Sequence, residues 1–208
     1  MPELPYEERV AAAFVELADT LVRDLGVSGL LYVLAAHCVD LLDVAAAGVL
    51  LGMPQGRGVE VGASDECTQA LVRLGVEQDE GPCRDCCQAR APVAEVRLDD
   101  GVADRCWPRF APAARRLGFT SVAAVPLRRQ DHAVGALVLF RSGPGTLDGG
   151  GLRLAQALAD VATIGVLQQR TVHELITLVA QLQHALDSRV VIEQAKGCLA
   201  QRHDTTLD

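Results

Sequence analysis

The last third of the chain carries the feature that most limits its fold. Leu158, Val161, Gly165, Gln168, Val172, Leu175, Val179, Leu182 and Leu186 follow one another at alternating steps of three and four. That spacing returns to one face of an α-helix, and most of these positions are apolar, so they form a coiled-coil seam. No proline interrupts the chain from residue 145 onward, and the pattern predicts one long helix. Such a helix outreaches any core that residues 30–141 can build. Its apolar stripe needs partners, and the first helix of the chain and the same helices of a second copy can supply them. The expectation is a parallel homodimer through a helical bundle.

Ahead of that helix the hydrophobic period changes twice. Residues 5–25 place Val10, Phe14, Leu17, Leu21 and Leu25 three and four apart with acidic residues opposite, which predicts a helix closed by Gly26. Residues 28–43 repeat the pattern with Ser28 as a candidate N-cap. The apolar run 44–52 and the segment 59–63 then read as a two-stranded hairpin. A helix is expected over 64–76, a short strand over 92–96, and one short helix over 104–117 despite Pro108 and Pro112. Residues 120–129 and 132–141, joined by Gln130-Asp131, give the clearest hairpin. Helices first, an antiparallel sheet in the middle and a long helix last describe an α+β module of the sensor type.

Composition narrows the function classes. Half of the residues are hydrophobic and 22% are charged, so a core is available and a disordered chain is not expected. Aromatic residues make up only 3%, which leaves Ala, Val and Leu to fill that core. The net charge of −8 repels phosphate backbones unless basic groups gather locally. The N-terminus lacks the basic-then-apolar pattern of a secretory signal, and charges break the apolar runs short of the ~18 residues that nominate a membrane span. No membrane and a cytoplasmic setting are expected, with thiols reduced. Seven cysteines also rule out a complete disulfide framework within one chain.

Three of those cysteines lie in "GPCRDCC", residues 81–87. Cys83 and Cys86 are one helical turn apart and can present two thiolates to one metal. A structural zinc needs four ligands, and Cys106 or His132 could complete the set. No second C-x-x-C and no H-x-x-x-H is present, so zinc or an iron–sulfur cluster is a candidate and no cofactor is firmly assigned. A redox reading is also open. Pro82 suits the first turn of a helix, where the macrodipole lowers a thiol's pKa, and Arg84 adds positive charge. Cys83 or Cys86 could then pair with a cysteine outside the helix, whereas vicinal Cys86 and Cys87 would pair only under strain. The third reading is packing, since cysteine behaves as a small buried hydrophobe. Cys38, Cys67 and Cys198 lie on helical stretches and are read that way.

Trp107, Phe110 and Phe119 are three of the seven aromatic residues. They either line a small-molecule pocket between the sheet and residues 97–119 or plug the core. His132 and the pair Asp99-Asp100 fall in expected turns. No G-x-S-x-G, P-loop or H-E-x-x-H is present, and the expectation is a non-enzyme.

Two stretches carry a family likeness. "GPCRDCCQARAPVAEV", the W-P-x-F segment at Trp107–Phe110, the strand ending Val125-Pro126-Leu127 and the Gly135-Ala136-Leu137 strand occur in one order. Over roughly residues 28–170 they resemble the GAF domains of actinobacterial regulators. "RVVIEQAKG", residues 189–197, resembles the opening of an ANTAR domain, a small three-helix RNA-binding unit. The resemblance implies a regulator of transcription antitermination, with a GAF-like antiparallel sheet flanked by helices as the sensor. It also implies long N- and C-terminal helices forming a dimeric bundle. By family position Arg189 and Lys196 are candidate phosphate contacts to RNA hairpins. The chain ends at Asp208, where a second ANTAR helix is expected, so the RNA-binding unit is expected to be incomplete here.

The expected layout is a bundle helix at 1–27, the sensor at 28–148, the long helix at 149–187 and the ANTAR start at 188–208. The signal is an unknown small molecule or redox change. The alternative is a thiol-based redox or metal-sensing GAF module. A further alternative is a cysteine-dependent reductase of free methionine sulfoxide, in which a cysteine lies close before a strand ending V-V-P. Cys106 lies much further from Val125-Pro126, so that correspondence fails.

Overall fold

The computed structural model describes residues 5–22, 26–52, 58–130 and 132–203, with side chains at 21, 22, 173, 174, 182 and 185–203 excepted. Leu25 and Asp131 lie outside the described residues, as do the side chains of Leu21, Leu182, Leu186, Arg189, Lys196 and Cys198. Two compact units are present, Met1–Leu167 and Gln168–Asp208.

The elements follow one another as α1 (Tyr6–Val22), α2 (Gly26–Leu41), β1 (Ala46–Gly52), β2 (Val59–Ala63), α3 (Glu66–Gln78), α4 (Pro82–Ala89), β3 (Val93–Arg97), α5 (Gly101–Cys106), α6 (Phe110–Arg116), β4 (Ser121–Arg129), β5 (His132–Arg141) and α7 (Gly149–His203). The five strands form one antiparallel sheet in the order β2-β1-β5-β4-β3. The mixed helix and antiparallel-sheet class expected from the sequence is the fold observed.

Both faces of the sheet are covered, which is why its central strands read as nearly continuous apolar runs. Side chains alternate between the two faces. Leu137 and Leu139 of β5 join Val49, Leu51, Val125 and Leu127 in a core with Leu17, Leu30, Leu34 and Leu158. Ala136, Val138 and Phe140 enter a second core with Leu71, Val72, Cys86, Trp107, Phe110 and Val122. The first core is thus sealed by α1, α2 and α7, the second by α3 to α6. Gly135 sits where β5 pairs with β1, and a Cβ there would lie 2.1 Å from the Leu50 carbonyl oxygen. Only glycine fits that approach.

Two local expectations are corrected. Residues 104–117 are not one helix, because Pro108 splits them into α5 and α6; proline cannot donate and pushes its predecessor out of the helical region. Pro112 is tolerated as the third residue of α6, where an N–H has no intrahelical acceptor. Ser28 is not an N-cap, since α2 already begins at Gly26 and the Ser28 hydroxyl donates to Glu60 at 2.5 Å.

The long helix exists, but its seam is divided. Leu158 and Gly165 are buried and Val161 is half-buried. With Ala155, Ala159, Ala162 and Val166, Leu158 belongs to the first core. Within the second unit Val172, Leu175, Ile176, Leu178 and Val179 are each more than half exposed. The stretch Gly149–Gln181 has the length and mean hydropathy (1.2) of a membrane span, although the sequence shows no unbroken apolar run of that length. Its first half, however, is a core helix of the first unit.

Candidate functional site

The link between α3 and α4 is only three residues long, and its backbone is held in an unusual shape. Asp79 adopts a left-handed conformation (φ 51°) and closes α3, while Gly81 has φ 107° and opens α4 with Pro82 at its first turn. Gly81 is required twice over, because a Cβ there would be strained by φ and would also lie 3.2 Å from the Phe110 ring. These constraints turn Glu80 inward.

Glu80 is 9% exposed. Its Oε1 accepts the backbone N–H of Arg109 at 3.0 Å, and its Oε2 is buried with no hydrogen-bond partner. A second tie runs from the Trp107 indole N–H to Asp85 Oδ2 of α4 at 2.9 Å. The segment Trp107–Phe110 therefore clamps the α3–α4 link by one side-chain and one backbone donor, with Phe110 stacked into the corner. That geometry gives the W-P-x-F and G-P-C segments a shared physical purpose.

A cavity of about 300 Å³ opens beside this corner. Leu50, Val72, Val76, Pro82, Cys83, Cys87 and Phe110 line it together with the exposed Val59, and Asp79, Glu80 and Arg84 supply its charged lining. Of the three expected pocket aromatics only Phe110 lines it. Trp107 and Phe119 are core residues: Trp107 meets Phe110 edge-on at 6.0 Å, and Phe119 stacks on Phe140 at 4.7 Å. The cavity lies between β1, β2 and the α3–α4 corner rather than over residues 97–119, because α4 packs over β4 and β5.

The cysteines behave unlike a reactive cluster. Burial raises the Cys83 thiol well above its ordinary value, and repulsion from Cys87 and Cys86 adds to this. Burial pushes Cys86 up to about 12, with Cys87 adding and a Val93 backbone hydrogen bond pulling partly back. Cys87 is raised by burial too. Desolvation outweighs the helix terminus, opposite to the lowering expected from sequence. These thiols stay protonated and are poor nucleophiles at neutral pH. Cys86 is wholly buried in the second core, Cys83 and Cys87 line the cavity, and Cys106 is exposed. Cys38 is core as expected, but Cys67 is exposed on α3 and does not pack. Among the described residues no three His, Cys, Asp or Glu side chains gather into a group able to hold a metal ion.

From α4 a short chain of contacts reaches α7. Cys86 lies in the core against which Val93 of β3 packs. Two residues on, Glu95 accepts the Ser121 hydroxyl of β4 through Oε1 and the Leu147 N–H at 2.6 Å through Oε2. Asp148 then caps α7, accepting the Gly151 N–H at 2.6 Å. Sequence reasoning missed both Glu80 and Glu95. The left-handed Asp79 and the Gly81-Pro82 helix start were the signals that could have pointed to Glu80, since a link that short must turn one side chain inward.

A two-faced antiparallel sheet with a cavity under its shorter helices is the architecture of a small sensor domain. The GAF domain family model matches residues 24–166, and the chain belongs to the GAF domain family. The ANTAR domain model matches residues 180–208. A GAF sensor followed by an ANTAR domain defines a sensor-regulator with an RNA-binding output. A comparison with the curated proteins returns no match. Among solved structures, the GAF domain of a Coxiella burnetii phosphoenolpyruvate-protein phosphotransferase aligns with TM-score 0.60 at 11% identity, covering 80% of this chain and 98% of that one. The corresponding Acinetobacter GAF domain aligns with TM-score 0.56 at 11% identity, over 79% and 97%. The phycoerythrobilin-bound GAF domain of a cyanobacterial phytochrome aligns with TM-score 0.56 at 16% identity, over 83% and 100%. At these identities the likeness is one of fold.

Proposed function

We propose that the protein is a cytoplasmic, homodimeric regulator of transcription antitermination whose GAF domain receives a small-molecule signal and controls RNA binding by the ANTAR domain. The observation that carries this reading is the order of the parts: a cavity-bearing GAF domain, then α7, then ANTAR. The signal enters the α3–α4 cavity. Occupancy shifts α4, and the contacts through Cys86, Glu95 and Leu147 bias the start of α7. A ligand moves such an equilibrium only by its difference in affinity for the two states. Dimerisation is supported by the exposed stripe of Val172, Leu175, Ile176 and Val179, which a second copy would bury. The raised thiols of Cys83, Cys86 and Cys87 weigh against thiol chemistry as the signal.

The test is binding of RNA hairpins by the full protein across a salt series. Affinity should fall steeply with salt, and R189A and K196A should each flatten the slope by about one. RNA binding that is absent at low salt, or unmoved by both variants, would refute the assignment of the output.

A further inference from the structure

We propose that the α3–α4 cavity selects a small, largely apolar molecule carrying an amine- or amidine-type N–H donor, anchored on Glu80 Oε2. The inference rests on the reading of that cavity as the signal-receiving site, and it names the ligand's chemistry.

Three observations carry it. The first is the orphaned oxygen. Glu80 is a buried carboxylate whose Oε1 is occupied by the Arg109 N–H and whose Oε2 has no partner. A buried acceptor left unmatched is costly, and a donor from a ligand removes that cost. A cationic donor does so most strongly, because charge-assisted bonds are about twice as strong as neutral ones.

The second is the charge at the polar side of the cavity. Asp79, Glu80 and Arg84 are its acidic and basic lining residues. Arg84 is already engaged, donating through Nε to Asp79 Oδ1 at 2.9 Å and pairing through Nη1 with Asp85 at 3.6 Å. The unmatched charge facing the cavity is therefore negative. Among the described lining residues, an anionic ligand would meet Glu80 with no free cation to offset it.

The third is size and lining. A volume of about 300 Å³ lies at the small end of ligand pockets. Leu50, Val59, Val72, Val76 and Phe110 ask for an apolar body of one ring or a short chain.

The experiment uses three probes of matched shape on the full-length chain: benzamidine, benzyl alcohol and benzoate. Binding is read by calorimetry, with the single tryptophan, Trp107, as a fluorescence reporter of the adjoining corner. Benzamidine should bind in the millimolar range or tighter, and benzoate should not bind. E80Q should weaken benzamidine at least tenfold, while its amide oxygen still accepts the Arg109 N–H and preserves the fold. As a second variant, V59W fills the cavity from its exposed edge and should abolish binding without touching Glu80. If benzyl alcohol binds as well as benzamidine and E80Q changes neither, the cavity reading stands and the ligand class is overturned. If none of the probes binds the wild-type protein, or V59W leaves binding intact, the cavity reading fails and the inference with it.

Discussion

The carboxylate of Glu95 accepts the backbone N–H of Leu147 at 2.6 Å, tying the edge strand β3 to the turn that starts α7. The same carboxylate accepts the hydroxyl of the buried Ser121. Glu95 lies within an irregularity in the β3–β4 register between Val93 and Val96, and such bulges re-aim side chains. Two charge-assisted bonds thus converge on one half-buried group.

Glu95→Ala should cost about 1.5–3 kcal/mol, because both donors lose a charged acceptor. Glu95→Gln should cost less than half of that, since its oxygen can accept from Leu147 and its amide can donate to the Ser121 hydroxyl. Urea denaturation of the two variants checks this. Hydrogen exchange should also rise at Gly151 and Leu152 in E95A, where the α7 cap loosens. Equal midpoints for E95A and wild type would show that the tie contributes nothing.

The buried thiols predict an alkaline weakness. With Cys86 at about 12 in the folded protein and near its ordinary value when unfolded, the unfolded chain releases a proton first as pH rises. Stability is therefore complete below the ordinary thiol value and falls between that value and about 12. The slope can reach about 1.4 kcal/mol per pH unit for each such thiol. Denaturant midpoints measured at successive pH values should fall more gently in Cys86→Ala than in wild type. At neutral pH, peptide mapping after alkylation should find Cys67 and Cys106 modified well before Cys83 and Cys86. Rapid labelling of Cys86 in the folded state would contradict its burial.

Gly135 offers a test of the sheet itself. Its absent side chain lets β5 approach β1, and an added Cβ would lie 2.1 Å from Leu50 O. That neighbour is backbone and cannot swing away. Gly135→Ala should destabilise by several kcal/mol or prevent soluble expression. Gly118→Ala is the control: it has φ +85° but open space around it, so only the backbone term of roughly 1 kcal/mol applies. Similar thermal midpoints for the two variants would mean that the strands can separate locally.

The sheet and helices were legible because their patterns are regular: short continuous apolar runs bounded by polar turns on β4 and β5, and steps of three and four on α1, α2 and α7. Both family segments were legible because short motifs carry them. The split at Pro108 was misread because apolar spacing continues across it, although the proline itself gave the boundary. The site was mostly hidden. Glu80 looks like one more surface acid in "EQDEG", and its burial depends on Arg109 arriving from 29 positions away. The three readings of the cysteines stayed open in sequence for a related reason: a helix terminus is visible there, whereas the desolvation that overrides it comes from β4, β5 and their neighbours.

The exposed residues on the second unit supply the last prediction. Val172, Leu175, Ile176 and Val179 stand at i, i+3, i+4 and i+7, which places them on one face of α7. Each is more than half exposed in the single chain, and a contiguous apolar stripe of this kind marks an interaction surface. A parallel pairing would set each residue opposite its own copy. Leu175→Glu with Val179→Glu would then oppose like charges across the seam, whereas the same glutamates are harmless on a solvated helix. Light scattering should report a dimer for the wild type and a monomer for the double variant, with near-unchanged Trp107 emission showing an intact sensor. A wild-type monomer at micromolar concentration would remove the dimer from the proposed mechanism.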